Sequence, residues 1–293
     1  MVAGDLACPR PPPRTAVTEV TGPGTPEVDE SEVEVGGARL VVRRQGGGPP
    51  FVWAHGLTSS MAREDEAGLF DWSRVQAERE VVRYDARGHG RSGAAGGEAA
   101  YGWDELAGDM FAVADACGIG RFAAGGASMG AATTLHAAVA RPDRIEAMVL
   151  VIPPTAWESR PAQRGIYEGS AALVEQAGIG GLMEARAALP PPPIFAGHPE
   201  LLGSPPDVAA DVLPTVLRGA AATDLPPLDV LAALDQPTLV LAWEGDPGHP
   251  VSTATALAGA LVRAELSVAP TLAEVTHWPA LVSDFLQGRS RTT

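Results

Sequence analysis

The residue of this chain most readily assigned a chemical role is a serine that has glycines two positions before and after it. Residues 126–130 read Gly-Ala-Ser-Met-Gly, a G-x-S-x-G pattern between an apolar segment and a run of helix formers from Met129 to Ala140. On a strand-to-helix turn, this pattern exposes the serine hydroxyl, and the amides at the start of the helix can stabilise a developing oxyanion. The pattern therefore predicts that Ser128 is a catalytic nucleophile.

A serine nucleophile needs a base to take its proton and an acid to orient that base, and both follow later in the chain. Asp246 comes directly after the apolar, strand-like segment 238–243 and is predicted to be the orienting acid. His277, in a loop before a helix-like segment, is predicted to be the general base. His249 competes for this role, but it lies only three residues after Asp246 in a proline-bounded turn, so we expect it to point away from Ser128.

The chain resembles the α/β-hydrolases, especially the lidded single-domain group of esterases, enol-lactonases and perhydrolases. The resemblance covers roughly residues 33–286. It implies that the backbone N–H groups of Leu57 and Met129 form the oxyanion hole, and it favours Asp246 over Glu244 as the acid. Besides the serine motif, it rests on three segments: His55-Gly56 after an apolar strand, residues 84–92 (YDARGHGRS) and residues 246–250 (DPGHP).

Alternating strand-like and helix-like segments predict an α/β fold with a doubly wound, mostly parallel sheet of the eight-stranded type. An antiparallel hairpin that turns at Gly36-Gly37 is predicted to open the sheet. The core is assigned to residues 31–152 and 236–293, and the Pro- and Gly-rich residues 1–30 are predicted to form a disordered tail. Strands are predicted near 51–54, 81–84, 122–124, 148–152, 239–243 and 266–268, and helices near 102–117, 129–140, 251–262 and 279–286.

One interval, residues 153–235, contains helix-like pieces and no strand-like segment, which predicts a helical lid inserted over the site. Its large side chains are candidates for substrate binding, although each also fits an ordinary packing or surface role. A guanidinium here, on Arg160 or Arg164, would suit a substrate carboxylate. The candidates are Trp157, Tyr167, Phe195 and Arg160.

Composition narrows the partners to small molecules. A formal charge of −15 argues against nucleic acid and against anionic membranes. No segment has the roughly 20 apolar residues of a transmembrane helix or the apolar run of a signal peptide, so a cytoplasmic location is predicted. Scattered histidines, two cysteines and the lack of a nucleotide-binding glycine motif predict that no metal or other cofactor is needed. The oligomeric state is left open.

Together these features predict a cofactor-independent serine hydrolase that cleaves a small carboxylic ester, lactone or thioester through an acyl-enzyme on Ser128. Epoxide hydrolases and haloalkane dehalogenases of similar fold use a carboxylate where this chain has Ser128. The alternatives on the same fold are a non-hydrolytic ligand-binding protein, a biosynthetic lyase or cyclase, and a C–C bond hydrolase or perhydrolase.

Overall fold

The computed structural model describes residues 28–198, 201 and 204–288. Most of the predicted tail, residues 1–27, lies outside this part of the chain. Its end does not match the prediction, because Asp29 and Glu30 already pair in the first strand of the sheet.

The secondary structure alternates between strands and helices along most of the chain. The strands are β1 (Asp29–Val35), β2 (Ala38–Gln45), β3 (Pro50–Ala54), β4 (Glu80–Tyr84), β5 (Phe122–Ala127), β6 (Ile145–Val151), β7 (Thr238–Trp243) and β8 (Ala264–Ala269). The helices are α1 (Met61–Ala67), α2 (Ser73–Gln76), α3 (Trp103–Ala116), α4 (Met129–Ala140), α5 (Arg160–Ala187), α6 (Leu213–Ala221), α7 (Leu228–Leu231), α8 (Val251–Ala260), α9 (Leu272–Val275) and α10 (Trp278–Leu286).

The described residues form one eight-stranded sheet in the order β1-β2-β4-β3-β5-β6-β7-β8. β1 and β2 form the predicted antiparallel hairpin, and its turn uses Gly36 and Gly37 at positive φ (53° and 80°), where two-residue hairpin turns favour glycine. β2 also pairs antiparallel with β4, and all later pairs are parallel. The predicted α/β fold class is confirmed.

Helices cover both faces of the sheet. One apolar cluster joins α3, α4 and α8 to one face, and a second joins α2, α9 and α10 to the other. Strand β7 is buried at every position, as expected for a parallel strand with helices on both sides. This packing fixes the carboxyl ends of β3, β5 and β7, where the candidate catalytic residues lie.

Residues 153–235, here called the insertion, connect β6 to β7 through helices α5, α6 and α7. Helix α5 changes direction at Gly178 (φ 69°, ψ −174°), a backbone conformation that is essentially restricted to glycine. Its two halves, 160–177 and 179–187, therefore run in different directions. None of the helices in the described part of the chain has the length and apolar character that crossing a membrane requires.

Candidate active site

Ser128 lies on the turn between β5 and α4 with φ 52° and ψ −108°, a strained conformation for a residue with a side chain. The turn is crowded. A Cβ atom added at Gly130 would lie 1.9 Å from the Ala54 carbonyl oxygen, and one added at Gly126 would lie 2.3 Å from the Gly130 carbonyl carbon. Glycine is therefore required at both positions, because β3 and the first turn of α4 approach this segment closely.

The imidazole that reaches Ser128 is that of His249. Its Nε2 lies 2.8 Å from the Ser128 Oγ, and its Nδ1 lies 2.7 Å from Oδ2 of Asp246. Because a carboxylate only accepts hydrogen bonds, this arrangement favours the tautomer with the proton on Nδ1, which leaves Nε2 free to accept the serine proton. Ser128, His249 and Asp246 thus form a continuous hydrogen-bonded chain.

The structure does not bring His277, the predicted base, to Ser128. His277 is exposed at the start of α10, and within the described residues its ring makes no hydrogen bond to Ser128 or Asp246. The expectation that a turn of three residues could not aim His249 at the serine was wrong. The His249 N–H donates to the Asp246 carbonyl, and this reverse turn brings the two side chains together.

Asp246 is held by three donors. The Gly248 N–H donates to Oδ1, whereas the Trp243 indole and the His249 ring both donate to Oδ2. Burial by itself would raise the pKa of Asp246, but the hydrogen bond and the charge of His249, with the other two donors, together lower it. The carboxyl group is therefore ionised, and its negative charge can stabilise an imidazolium on His249.

The two backbone N–H groups predicted as oxyanion donors are available. Gly56 lies against Ser128: a Cβ atom added there would be 3.7 Å from the Ser128 Cβ, and Leu57 follows directly. Met129 is the first residue of α4, where N–H groups have no acceptor within the helix. Neither N–H has an acceptor among the described residues.

Ser128, His249 and Asp246 open into a cavity of about 590 Å³ between the sheet and the insertion. Both halves of α5 line it: Gln163, Ile166, Tyr167 and Leu173 come from the first half, and Leu182, Ala185 and Arg186 come from the second. The kink at Gly178 is what lets one helix form two walls. Among the predicted binding residues, Tyr167 lies in this lining, and Arg186 is a lining residue that the sequence analysis missed.

Three predicted binding residues lie outside this lining. Trp157 is fixed by hydrogen bonds to Asp224 and to the Pro226 carbonyl. Phe195 is buried against Trp243, with ring centroids 5.2 Å apart, and so supports the indole that donates to the acid.

Arg160, the third of these residues, is buried and donates to the carbonyls of Thr223 and Ala220, with its guanidinium 4.3 Å from the centroid of the Trp103 ring. It therefore holds the insertion together. Its neighbour Arg164 donates to the Ala221 carbonyl and has a similar role.

The loop after β4 is organised by buried polar groups. The Asp85 carboxylate accepts from the Met61 and Arg91 N–H groups, and the His55 Nε2 accepts from the Ala86 N–H. The His89 Nδ1 lies 2.8 Å from the Arg87 carbonyl oxygen. These groups hold the loop in place.

Within the part of the chain that the structure describes, no group of three or more His, Cys, Asp or Glu side chains is arranged to hold a metal ion. The titratable groups that line the cavity are the linked pair of Asp246 and His249, together with Tyr167 and Arg186.

Comparison with known proteins agrees with this architecture. Residues 49–166 match the family model described as the α/β hydrolase fold. An epoxide hydrolase from Caballeronia sordidicola is 29% identical over 135 residues, which cover 44% of this chain and 39% of that protein. The match thus spans about two-fifths of the length of that curated relative.

Solved structures match over nearly the whole fold. A thermophilic esterase from Thermogutta terrifontis superposes with a TM-score of 0.73 at 22% identity, over 89% of this chain and 97% of the esterase. The enol-lactonase from Burkholderia xenovorans LB400 superposes with a TM-score of 0.71 at 22% identity, over 88% of this chain and 100% of the lactonase. The protein therefore has the α/β-hydrolase fold, as its resemblance to the α/β-hydrolases predicted.

Proposed function

We propose that this protein is a cofactor-independent serine hydrolase that cleaves a small carboxylic ester, lactone or thioester through an acyl-enzyme on Ser128. The observation that carries the proposal is the hydrogen-bonded chain from Ser128 Oγ through His249 to Asp246, with its serine end facing a cavity. Nucleophile, base and orienting acid are the three parts that acyl transfer by serine requires.

In the first half of the reaction, the Ser128 oxygen attacks the substrate carbonyl carbon while His249 Nε2 takes the hydroxyl proton. The negative charge that develops on the carbonyl oxygen is stabilised by the N–H groups of Leu57 and Met129. Asp246 stabilises the imidazolium that forms without taking its proton. Collapse of the tetrahedral intermediate breaks the bond to the leaving group, which receives the proton from His249.

In the second half, water takes the place of the leaving group. His249 removes a proton from this water, which attacks the acyl carbon, and the bond to Ser128 Oγ breaks as the proton returns to the serine. The product is a carboxylic acid, and the enzyme is restored. The insertion, whose helix α5 lines the cavity with both of its halves, acts in this proposal as the lid that selects substrates.

Epoxide hydrolysis, the activity named for the curated relative, fits this site less well. A carboxylate nucleophile opens an epoxide to an ester, which water can then hydrolyse. Attack by Ser128 would instead give an ether, which the His249–Asp246 pair has no means to cleave. The presence of serine at this turn therefore favours acyl transfer.

The direct test is covalent labelling of the parent protein with a small fluorophosphonate ester, read by intact mass and peptide mapping. We expect a single adduct on Ser128, none on Ser128→Ala, and turnover of short-chain aryl esters by the parent only. Circular dichroism of both proteins provides the control for folding. A folded parent that neither forms the adduct nor hydrolyses any ester, lactone or thioester in the panel would overturn the proposal.

A further inference from the structure

The lining of the cavity includes a positively charged side chain. Arg186 lies on the second half of α5 and lines the same cavity as Ser128, Asp246 and His249. The carboxylate of Asp246 is committed to His249, Trp243 and Gly248. Arg186 is thus the arginine in this cavity lining, and no carboxylate among the described residues pairs with it.

The other three arginines of the insertion are all engaged. Arg160 donates to two backbone carbonyls, Arg164 donates to the Ala221 carbonyl, and Arg218 forms a two-point ion pair with Glu175. Arg186, in contrast, has no hydrogen bond or ion pair with any residue that the structure describes. Every arginine guanidinium has the same five donors, so the difference between Arg186 and the other three arginines lies in the residues around each of them.

The sequence around Arg186 explains why it has no partner on its own helix. Side chains three and four positions away are the ones that a helical residue can reach. Around Arg186 these positions hold Leu182, Met183, Leu189 and Pro190, none of which accepts a hydrogen bond through a carboxylate.

Arg186 is exposed by surface area, yet cavity-wall atoms surround enough of it for desolvation to lower its pKa, an effect that the nearby Tyr167 phenol only partly opposes. Its charge lies at the cavity wall and is not paired with any residue that the structure describes. An anion that entered the cavity would be stabilised there.

We propose that Arg186 binds a carboxylate of the substrate, so that the preferred substrates are esters or lactones carrying a second, unreacting carboxylate group. This inference rests on the proposed function, because it names the substrate class of that same site. Guanidinium matches a carboxylate through two parallel hydrogen bonds, which gives orientation as well as affinity. The apolar lining from Leu173, Leu182 and Leu217 would cover the carbon chain between the two ends.

The kinetic test uses matched pairs of substrates that differ by one carboxylate. One pair is p-nitrophenyl butyrate and the mono-p-nitrophenyl ester of glutaric acid, and the other is phenyl butyrate and 4-carboxyphenyl butyrate. The proteins are the parent, Arg186→Gln, Arg186→Lys and the control Arg121→Gln, which removes an exposed arginine outside the insertion. Neutral esters and fluorophosphonate labelling test the serine chemistry independently of Arg186.

We expect Arg186→Gln to lower kcat/KM for the carboxylate member of at least one pair by about 10- to 100-fold, the effect of losing a hydrogen bond to a charged group. We expect kcat/KM for the neutral member to change by less than about threefold. Arg186→Lys should restore part of the loss, because it keeps the charge without the two-point geometry. Equal losses on both members of each pair, or no loss on either, would overturn the inference while leaving the serine chemistry intact.

A binding measurement gives an answer even if no ester is turned over. Titration of monomethyl glutarate into Ser128→Ala by calorimetry should give a Kd at least about tenfold lower than titration into Ser128→Ala/Arg186→Gln. Absence of binding to Ser128→Ala, or equal binding to both proteins, would overturn the inference. Failure of the parent protein to form the fluorophosphonate adduct would instead contradict the proposed function.

Discussion

At the scale of single residues, the proposed site depends on a tight turn that makes Asp246 and His249 neighbours. Asp246 accepts the N–H of Gly248 through its side chain and the N–H of His249 through its carbonyl. A turn of this kind places residues i and i+3 side by side. The proposed acid and base thus come from one loop, and the proposed nucleophile comes from another part of the chain.

The first prediction concerns the proton on His249. Asp246→Asn keeps the shape of the side chain, but its amide can donate to His249 Nδ1, which favours the tautomer whose Nε2 carries the proton and cannot accept one from Ser128. We expect kcat for ester hydrolysis to fall by about 10³- to 10⁴-fold with the fold unchanged. Asp143→Asn, at an exposed acid near β6, should keep the activity of the parent. A loss below tenfold in Asp246→Asn would show that Asp246 does not set the tautomer.

The lowered pKa of Asp246 adds a pH dependence of known sign. Because the lowered pKa keeps the Asp246 carboxyl ionised below its usual range, protonation of Asp246 should not contribute to acid inactivation. The logarithm of activity, plotted against pH, should therefore fall on the acid side with the slope expected for the binding of one proton. A two-proton fall would place Asp246 among the groups that titrate.

At the scale of secondary structure, the turn of residues 126–130 that carries Ser128, here called the elbow, forms because β3, β5 and α4 approach each other without a side chain between them. The Ala54 carbonyl at the end of β3 occupies the space that a Cβ atom at Gly130 would need. The resulting close packing keeps Ser128 at positive φ and holds its hydroxyl toward His249. Strain at Ser128 is thus maintained by the elements around it.

Gly130→Ala tests this packing. We expect the free energy of unfolding to drop by at least about 3 kcal/mol, because the new methyl group overlaps a backbone oxygen that belongs to a central strand. Gly108→Ala is the matched control, since Gly108 is exposed on α3 with open space around it. We expect the Gly108→Ala variant to be more stable than the parent by about 0.5–1 kcal/mol. Urea unfolding of both variants measures the difference. Equal stability of Gly130→Ala and the parent would contradict the description of the elbow.

Strands, helices and the elbow could be predicted from the sequence because their signals are local. Apolar runs marked β3 to β8 to within a few residues, and Met129 to Ala140 was predicted with the bounds that α4 has. The histidine that contacts Ser128 was missed because the choice between two histidines depends on the path of a turn rather than on periodicity. The Asp-x-Gly sequence at 246–248 was the available signal, since Asp side chains bond the backbone two residues on.

The cavity lining was predicted less well, for a related reason. Helical spacing shows which residues share a face, but not how a kink at Gly178 directs the two halves of α5. Trp157, Phe195 and Arg160 were predicted from residue type, and each is engaged by protein groups instead. Arg186 had no distinguishing signal in the sequence, because its lack of a partner becomes apparent only in the folded chain.

At the scale of the whole molecule, the loop behind the site places a neutral histidine in the interior. The pKa of His89 is lowered to about 3, mainly by burial and also by the neighbouring His55, while the hydrogen bond with the Arg87 carbonyl partly opposes both. In the unfolded chain the same imidazole titrates near 6.5. As the pH falls below that value, the unfolded state binds a proton that the folded state does not bind, so the stability of the fold decreases.

This predicts acid sensitivity that can be assigned to one residue. Between pH 7 and pH 5, the parent should lose about 2 kcal/mol more of its free energy of unfolding than His89→Gln does. His277→Gln, at an exposed histidine, should follow the parent. Urea unfolding at the two pH values provides the comparison, and the same pH dependence in His89→Gln and the parent would refute the assignment to His89.

The measurement that tests the central claim most directly is the comparison of His249→Ala with His277→Ala. Both variants are assayed for ester hydrolysis and for the rate of fluorophosphonate labelling at Ser128. If His249 is the base, its removal should lower both rates by about 10²- to 10⁴-fold, and removal of the exposed His277 should leave both within about twofold of the parent. The reverse pattern, with His277 essential and His249 dispensable, would contradict the hydrogen-bonded chain on which the proposed function rests.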